Sequence, residues 1–207
     1  MEGSSEARRT DVLRASPRMF DNDLLDRLSR VHPVVPVLLF VPGITVLIVL
    51  AAGELGVLSI LAWGVGGYAF WTLCEYWIHR VIFHFEPEEG FGARLHWIIH
   101  GVHHDHPNDP MRLVMPPSVS VPLSALFFLA FLAVMGTPTA YAFGAGFWAG
   151  YVIYDEIHYH LHHHSPSTRA GRLLRELHMR HHFQDDSRGF GISAPYWDRV
   201  FRTWLNR

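Results

Sequence analysis

Hydrophobic and polar positions along this 207-residue chain fall into long blocks. Val31 to Gly53 contains no charged residue, and neither does Leu55 to Cys74; Glu54 stands alone between them. Each run has roughly the 20 residues an α-helix needs to cross a hydrocarbon core about 30 Å thick. Gly53-Glu54-Leu55-Gly56 is a tight connection, so the two runs predict a helical hairpin. A polar region from Glu75 to Arg112 follows, with a loop signal at Glu86-Pro87-Glu88-Glu89-Gly90. Val114 to Tyr154 is then uncharged over 41 residues. A single helix of that length would reach ~60 Å, twice the bilayer core. Gly136-Thr137-Pro138 divides it into a second hairpin, and Gly144, Gly146 and Gly150 suit close helix packing in lipid. From Asp155 to Arg207 the chain is polar again.

The expected fold is all-α: an integral membrane protein with four transmembrane helices, at about 34–52, 56–78, 116–135 and 139–157, and a cytosolic helical cap formed by 79–115 and 158–207. A polar N-terminal segment, 1–32, precedes the domain 33–207, with a short surface helix expected within 22–29.

Composition supports the membrane reading. Hydrophobic residues make up 49% and charged residues 17%, against about 25% charged in soluble domains. All 17 basic residues are arginine, confined to Arg8–Arg30, Arg80–Arg112 and Arg169–Arg207. Neither hairpin turn carries one, so every arginine falls on one side, the cytoplasmic side by the positive-inside rule. Anionic lipid accounts for these blocks, and no aromatic-basic interleaving of a nucleic-acid platform is present. No apolar core follows a short basic start, so no cleaved signal peptide is expected. A bacterial inner membrane or the endoplasmic reticulum fits. Cys74 has no partner, which excludes a disulfide framework and a C-x-x-C motif.

The candidate chemistry lies in the 16 histidines. His100, His103 and His104 form H-x-x-H-H, and His178, His181 and His182 repeat it. Offsets of three and four place these imidazoles on one side of a helix. In each triplet one ring can serve one ion while its neighbour serves a second. His158 and His162 are four apart. His79 and His84 are five apart and share no face on a straight α-helix, so chelation by this pair requires the helix to end or unwind between them. Ten imidazoles are too many for one ion and suit two, predicting a dinuclear centre of His79, His84, His100, His103, His104, His158, His162, His178, His181 and His182. Candidates to hold a ligand ring in place by contact with it are Asp155, one turn before His158, with Tyr154 beside it; Glu75, four before His79; and His96, four before His100. His32 reads as a surface residue and His106 as part of a turn. His160, His163 and His164 are alternative or exposed rings. No H-E-x-x-H, G-x-S-x-G or P-loop is present.

The spacings H-x4-H, H-x2-H-H, H-x3-H and H-x2-H-H resemble those of the membrane fatty acid hydroxylase and sterol desaturase superfamily. HRVIFH, HGVHH followed by RLVMPP, YDEIHYHLHH, HMRHHF and GFGISAPYWDRVF are most similar to the fatty acid 2-hydroxylase branch, which acts on ceramide-type lipids. The likeness covers roughly residues 70–207. It implies two iron ions on the ten histidines, zinc being able to substitute, and O2 as co-substrate. Many eukaryotic members carry an N-terminal b-type cytochrome domain, for which the leading 32 residues are too few. The resemblance therefore implies a separate electron donor, such as a b-type cytochrome or a ferredoxin with an NAD(P)H reductase. The expected activity is hydroxylation of a lipid acyl chain at C2, with no catalytic side chain beyond the metal ligands. Trp77, Phe83, Trp97 and Trp148 stand where they could line acyl entry or form an aromatic belt, and Met115-Pro116-Pro117 is expected to shape the turn into the third crossing. A sterol or carotenoid hydroxylase or desaturase would use the same metal site. A metal transporter would place histidines inside the crossings, and the stretches between Val34 and Glu75 and between Val114 and Asp155 contain none.

Overall fold

The computed structural model describes residues 8–206, so the first seven positions of the polar segment 1–32 lie outside the described residues. The described residues contain no strand. Two short helices, α1 (Arg9–Leu13) and α2 (Asp23–Leu28), precede α3 (Val34–Ala52) and α4 (Val57–Trp77). Next come α5 (Gly90–His96), α6 (Val102–Asp105), α7 (Pro117–Met135), α8 (Thr139–His163), α9 (Arg169–Phe183) and α10 (Tyr196–Val200). Two π-helical segments interrupt this order: Ile78–Phe83 prolongs α4, and Trp97–Gly101 joins α5 to α6.

Among the described residues, three helices are long and apolar enough to cross a membrane: Val34–Ala52, Val57–Phe83 and Pro117–Met135. Their outer faces are apolar, with Leu58 83% and Val134 85% exposed. Water would penalise so extensive an apolar surface and hydrocarbon would not. The fourth expected crossing, 139–157, is helical but belongs to a different kind of helix. Helix α8 is the hub against which α3, α4 and α7 all pack, and it runs on to His163. It buries Phe147, Tyr151, Tyr154 and Asp155, so protein rather than lipid surrounds much of its face.

Glycine explains how closely this hub is approached. A Cβ at Gly67 would lie 1.9 Å from Phe143 O, and one at Gly146 the same distance from Gly64 O, so α4 and α8 meet backbone to backbone. Around that crossing an aromatic core fills the bundle. Phe40 meets Tyr151 edge-on at 4.9 Å, Trp71 meets Phe147 at 5.2 Å, and Phe131 meets Phe147 at 5.1 Å. Such pairs add about 0.5–1.5 kcal/mol each beyond the area they bury.

The N-terminal segment is docked on the same end of the bundle as the histidines. Asn22 caps α2, its side chain accepting from Leu24 N at 3.0 Å and Leu25 N at 3.1 Å. Asp26 accepts from Met19 N at 2.7 Å and from Arg112 at 2.9 Å, while Arg112 also donates to Pro17 O. The Arg112 side chain is only 2% exposed, so this ion pair is shielded from solvent screening.

The α4–α8 contact cannot accept a side chain. Gly146→Ala is expected to lower the melting temperature of the detergent-purified chain, at a cost of about 1–3 kcal/mol from overpacking. Gly56→Ala, where a Cβ meets nothing within 4 Å, is expected to melt like the wild type. Equal melting of all three proteins, followed by circular dichroism, would contradict this packing.

Candidate metal centre

Each histidine motif sits where a bundle helix leaves its apolar stretch or on the cap helices beyond. At the end of α4 the backbone widens into the π-segment, and His84 N–H donates to His79 O at 3.1 Å, five residues back. The wider turn brings the two rings together, with centroids 5.0 Å apart. A spacing of five that an α-helix could not use becomes one face of a π-turn. The second π-segment carries His100. His96, which immediately precedes that segment, lies in neither group of converging rings.

Ten imidazoles converge in two groups of five. His79, His84, His100, His104 and His181 form one, here the His79 group. His103, His158, His162, His178 and His182 form the other, the His158 group. Within each, the ligand atoms all lie within 4.8 Å of one another. The two H-x-x-H-H motifs exchange partners: 100 and 104 enter the His79 group while 103 enters the other, and 178 and 182 enter the His158 group while 181 crosses back.

The nitrogen spacing tests whether metal fits. Nε2–Nε2 separations run from 2.8 Å (His162–His178) through 3.0 Å (His100–His104, His103–His182) to 3.2 Å (His79–His100). Nitrogens at right angles around an ion with ligand bonds of ~2.1 Å would be about 3.0 Å apart. The protonation of the rings points the same way. Phe190 O accepts from His79 Nδ1 and Arg188 O accepts from His181 Nδ1, each at 2.7 Å. A carbonyl can only accept, so in these neutral rings Nδ1 bears the hydrogen and Nε2 offers a lone pair. Lone pairs facing one another near 3 Å repel unless a cation lies between them. Extra protons, which would make the rings cationic, do not fill that role at neutral pH. Burial, reinforced by neighbouring imidazoles, pushes His84 down to about 2 and His104 to about 3. His100, His103, His178 and His182 lie well below the ordinary histidine value for the same reasons. Buried neutral nitrogens converging in fives fit divalent transition metals, iron and zinc among them.

The remaining candidates fall elsewhere. Glu75 accepts from Ser193 N at 2.7 Å and from Ser193 Oγ, not from His79. Asp155 accepts from Tyr151 OH at 3.0 Å, so its near approach to His158 in sequence gives no hydrogen bond to that ring. Tyr154 stacks obliquely on His158 at 5.8 Å. His96 Nε2 stands 3.9 Å from Glu86 Oε1, which is also 3.5 Å from His84 Nδ1. His32, His106, His160, His163 and His164 join neither group. Sequence reasoning missed the carbonyls of Arg188 and Phe190, because a backbone acceptor leaves no side-chain signature. The flanking glycines at 189 and 191 were the only available hint.

An apolar cavity of about 260 Å³ adjoins the centre. Leu113, Val114, Met115 and Pro116 form one wall, and Met19, Phe20, Leu25 and Leu28 another. His100 from one group and His103 and His158 from the other reach it. Of the aromatic candidates only Phe83 lines it; Trp97 donates to Asp105, and Trp148 packs on Phe40.

The family model described as fatty acid hydroxylase matches residues 64–203. A dihydroceramide fatty acyl 2-hydroxylase of Arabidopsis thaliana is 37% identical over 90% of this chain and 79% of its own length. A ceramide very long chain fatty acid hydroxylase of Saccharomyces cerevisiae is 43% identical, covering 67% of this chain and 37% of its own length. The fatty acid 2-hydroxylase of Rattus norvegicus is 39% identical, again with only 38% of its length spanned. The solved structure of full-length Scs7p, with only the hydroxylase domain visible, superimposes with a TM-score of 0.85 at 36% identity, over 90% of this chain and 71% of that one.

If each group holds an ion, paired substitutions should separate them. The iron-loaded wild type is expected to carry about two ions per chain, and His79→Ala/His84→Ala or His158→Ala/His162→Ala about one each. The quadruple variant is expected to carry none. Elemental analysis reads the count, and unchanged metal content in both double variants would sink the division into two groups.

Proposed function

The chain belongs to the fatty acid hydroxylase family, and from that premise we propose that it hydroxylates a lipid acyl chain at C2, in a free fatty acid or a ceramide-type lipid, with two irons and O2. The observation that carries this reading is the cavity: its walls are apolar, and rings from both histidine groups reach it. The ten histidines would hold the irons, which when bound supply oxygen activation for insertion into an unactivated C–H bond. One oxygen atom enters the alcohol and the other leaves as water, which consumes a pair of electrons and a pair of protons. We assign the electrons to a separate donor protein docking on the arginine-rich face.

The protein's own residues bind, orient and exclude water. An acyl chain transferred from water gains about 0.8 kcal/mol for each methylene buried against Leu113, Val114, Met115, Leu25 and Leu28. Ser29 and Ser118 also line the cavity and offer polar partners for the acyl carbonyl and its head group. A substrate held by its polar end and threaded past His100, His103 and His158 presents carbons close to that end. This favours C2 over distal positions. The RLVMPP stretch thus serves as cavity wall as well as turn. We assign α8 as a fourth crossing, shielded by α3, α4 and α7, with the histidine end facing the cytosol.

Two measurements test the proposal. Lipid profiling of a host expressing the chain is expected to reveal 2-hydroxy acyl species that are absent with His103→Ala. Hydroxylated isoprenoids alone would overturn the assignment. Val114→Trp, which fills the cavity, is expected to reduce kcat/KM at least about tenfold, about 1.4 kcal/mol, while metal content is retained. Unchanged turnover would show that the acyl chain binds elsewhere.

A further inference from the structure

One loop supports two of the five rings in the His79 group. Its carbonyls at Arg188 and Phe190 accept from His181 and His79. The Phe190 ring stands against His79, His84 and His181 at 5.7, 5.4 and 5.8 Å. The backbone must bend sharply to do this. Gly189 adopts φ +77°, and a Cβ there would meet Leu205 Cδ1 at 2.6 Å. Asp198, on α10, closes the bend from behind and is only 2% exposed. Its Oδ1 accepts from Phe190 N at 2.9 Å and Thr203 Oγ1 at 2.7 Å, and its Oδ2 from Gly191 N at 3.0 Å. Glu75 of α4 ties down the next turn through Ser193.

The His158 group has no counterpart. Nδ1 of His162, His178 and His182 is buried with no hydrogen-bond partner. A partnered Nδ1–H fixes the ring's tautomer and direction and makes the opposite nitrogen a stronger donor to metal. The two groups therefore differ in support, though each offers five imidazoles.

We propose that Asp198 is a positioning residue for the His79 group alone. It holds Arg188–Gly191 so that two carbonyls meet two imidazoles, and the His79 group consequently binds its ion more tightly than the His158 group. This rests on the reading that each group holds one ion. Asp198 acts through the loop and touches neither substrate nor metal.

The test is a chelator titration of the full chain in detergent, with metal content and size-exclusion profile read together. The wild type is expected to lose its ions in two steps. The step missing from His79→Ala/His84→Ala identifies the ion in the His79 group. In Asp198→Ala that step is expected to weaken by about 10–100-fold, the usual cost of losing an outer-shell partner. The other step should stay put. Asp198→Asn, which keeps one accepting oxygen, should lose less. Two unchanged steps, or equal weakening of both, would overturn the proposal. If Asp198→Ala aggregates, Thr203→Val decides by the same criterion, since it removes one of three donors and leaves the carboxylate. A wild type that binds no metal would overturn the metal reading itself, and the proposal with it.

Discussion

Ten imidazoles converge with Nε2 atoms about 3 Å apart, and the rest of the structure is organised around holding them there. Holding the rings that close requires a rigid frame of surrounding helices. Rigidity comes from the backbone-to-backbone meeting of α4 and α8 at Gly67 and Gly146 and from the aromatic core beside it. Those two helices also deliver the pairs 79/84 and 158/162 at their polar ends. The packing that fixes the crossing thus fixes the anchor points of both histidine groups.

The cap completes the site by exchange. Each H-x-x-H-H segment sends two rings to one group and one to the other, so neighbouring residues such as His103 and His104 serve different groups. That sharing sets the two groups side by side, and it lets one apolar cavity touch both through His100, His103 and His158. The N-terminal segment closes the cavity's outer wall, pinned by the buried pair Arg112–Asp26.

Much of this was legible in the sequence. Uncharged runs marked four crossings, of which three are helices long and apolar enough to cross a bilayer, and repeated histidine spacing marked the residues that converge. What escaped had physical reasons. The pair 79/84 needed a π-turn, which periodicity at 3.6 cannot signal. Helix α8 packs against α3, α4 and α7 and ends in a polar stretch that carries His158 and His162, so its hydropathy differs from that of the outer helices. Helical spacing pointed Glu75 at His79 and Asp155 at His158. Tertiary contacts redirected both, to Ser193 and to Tyr151. The carbonyl supports at Arg188 and Phe190 depend on backbone direction, which side-chain identity does not encode.

The interlocked ligand set has a consequence for how the chain is assembled. His84 and His181 meet across 97 residues, and His103 and His182 across 79. An ion shared by such pairs acts as a cross-link in a chain whose single cysteine can form no internal disulfide. A link closing a loop of that length removes on the order of 4–5 kcal/mol of freedom from the unfolded ensemble, by analogy with a disulfide. Because His181 and His182 both stand on α9, neither group can be complete until that helix has been made. A chain that stops short of α9 leaves both groups open at once.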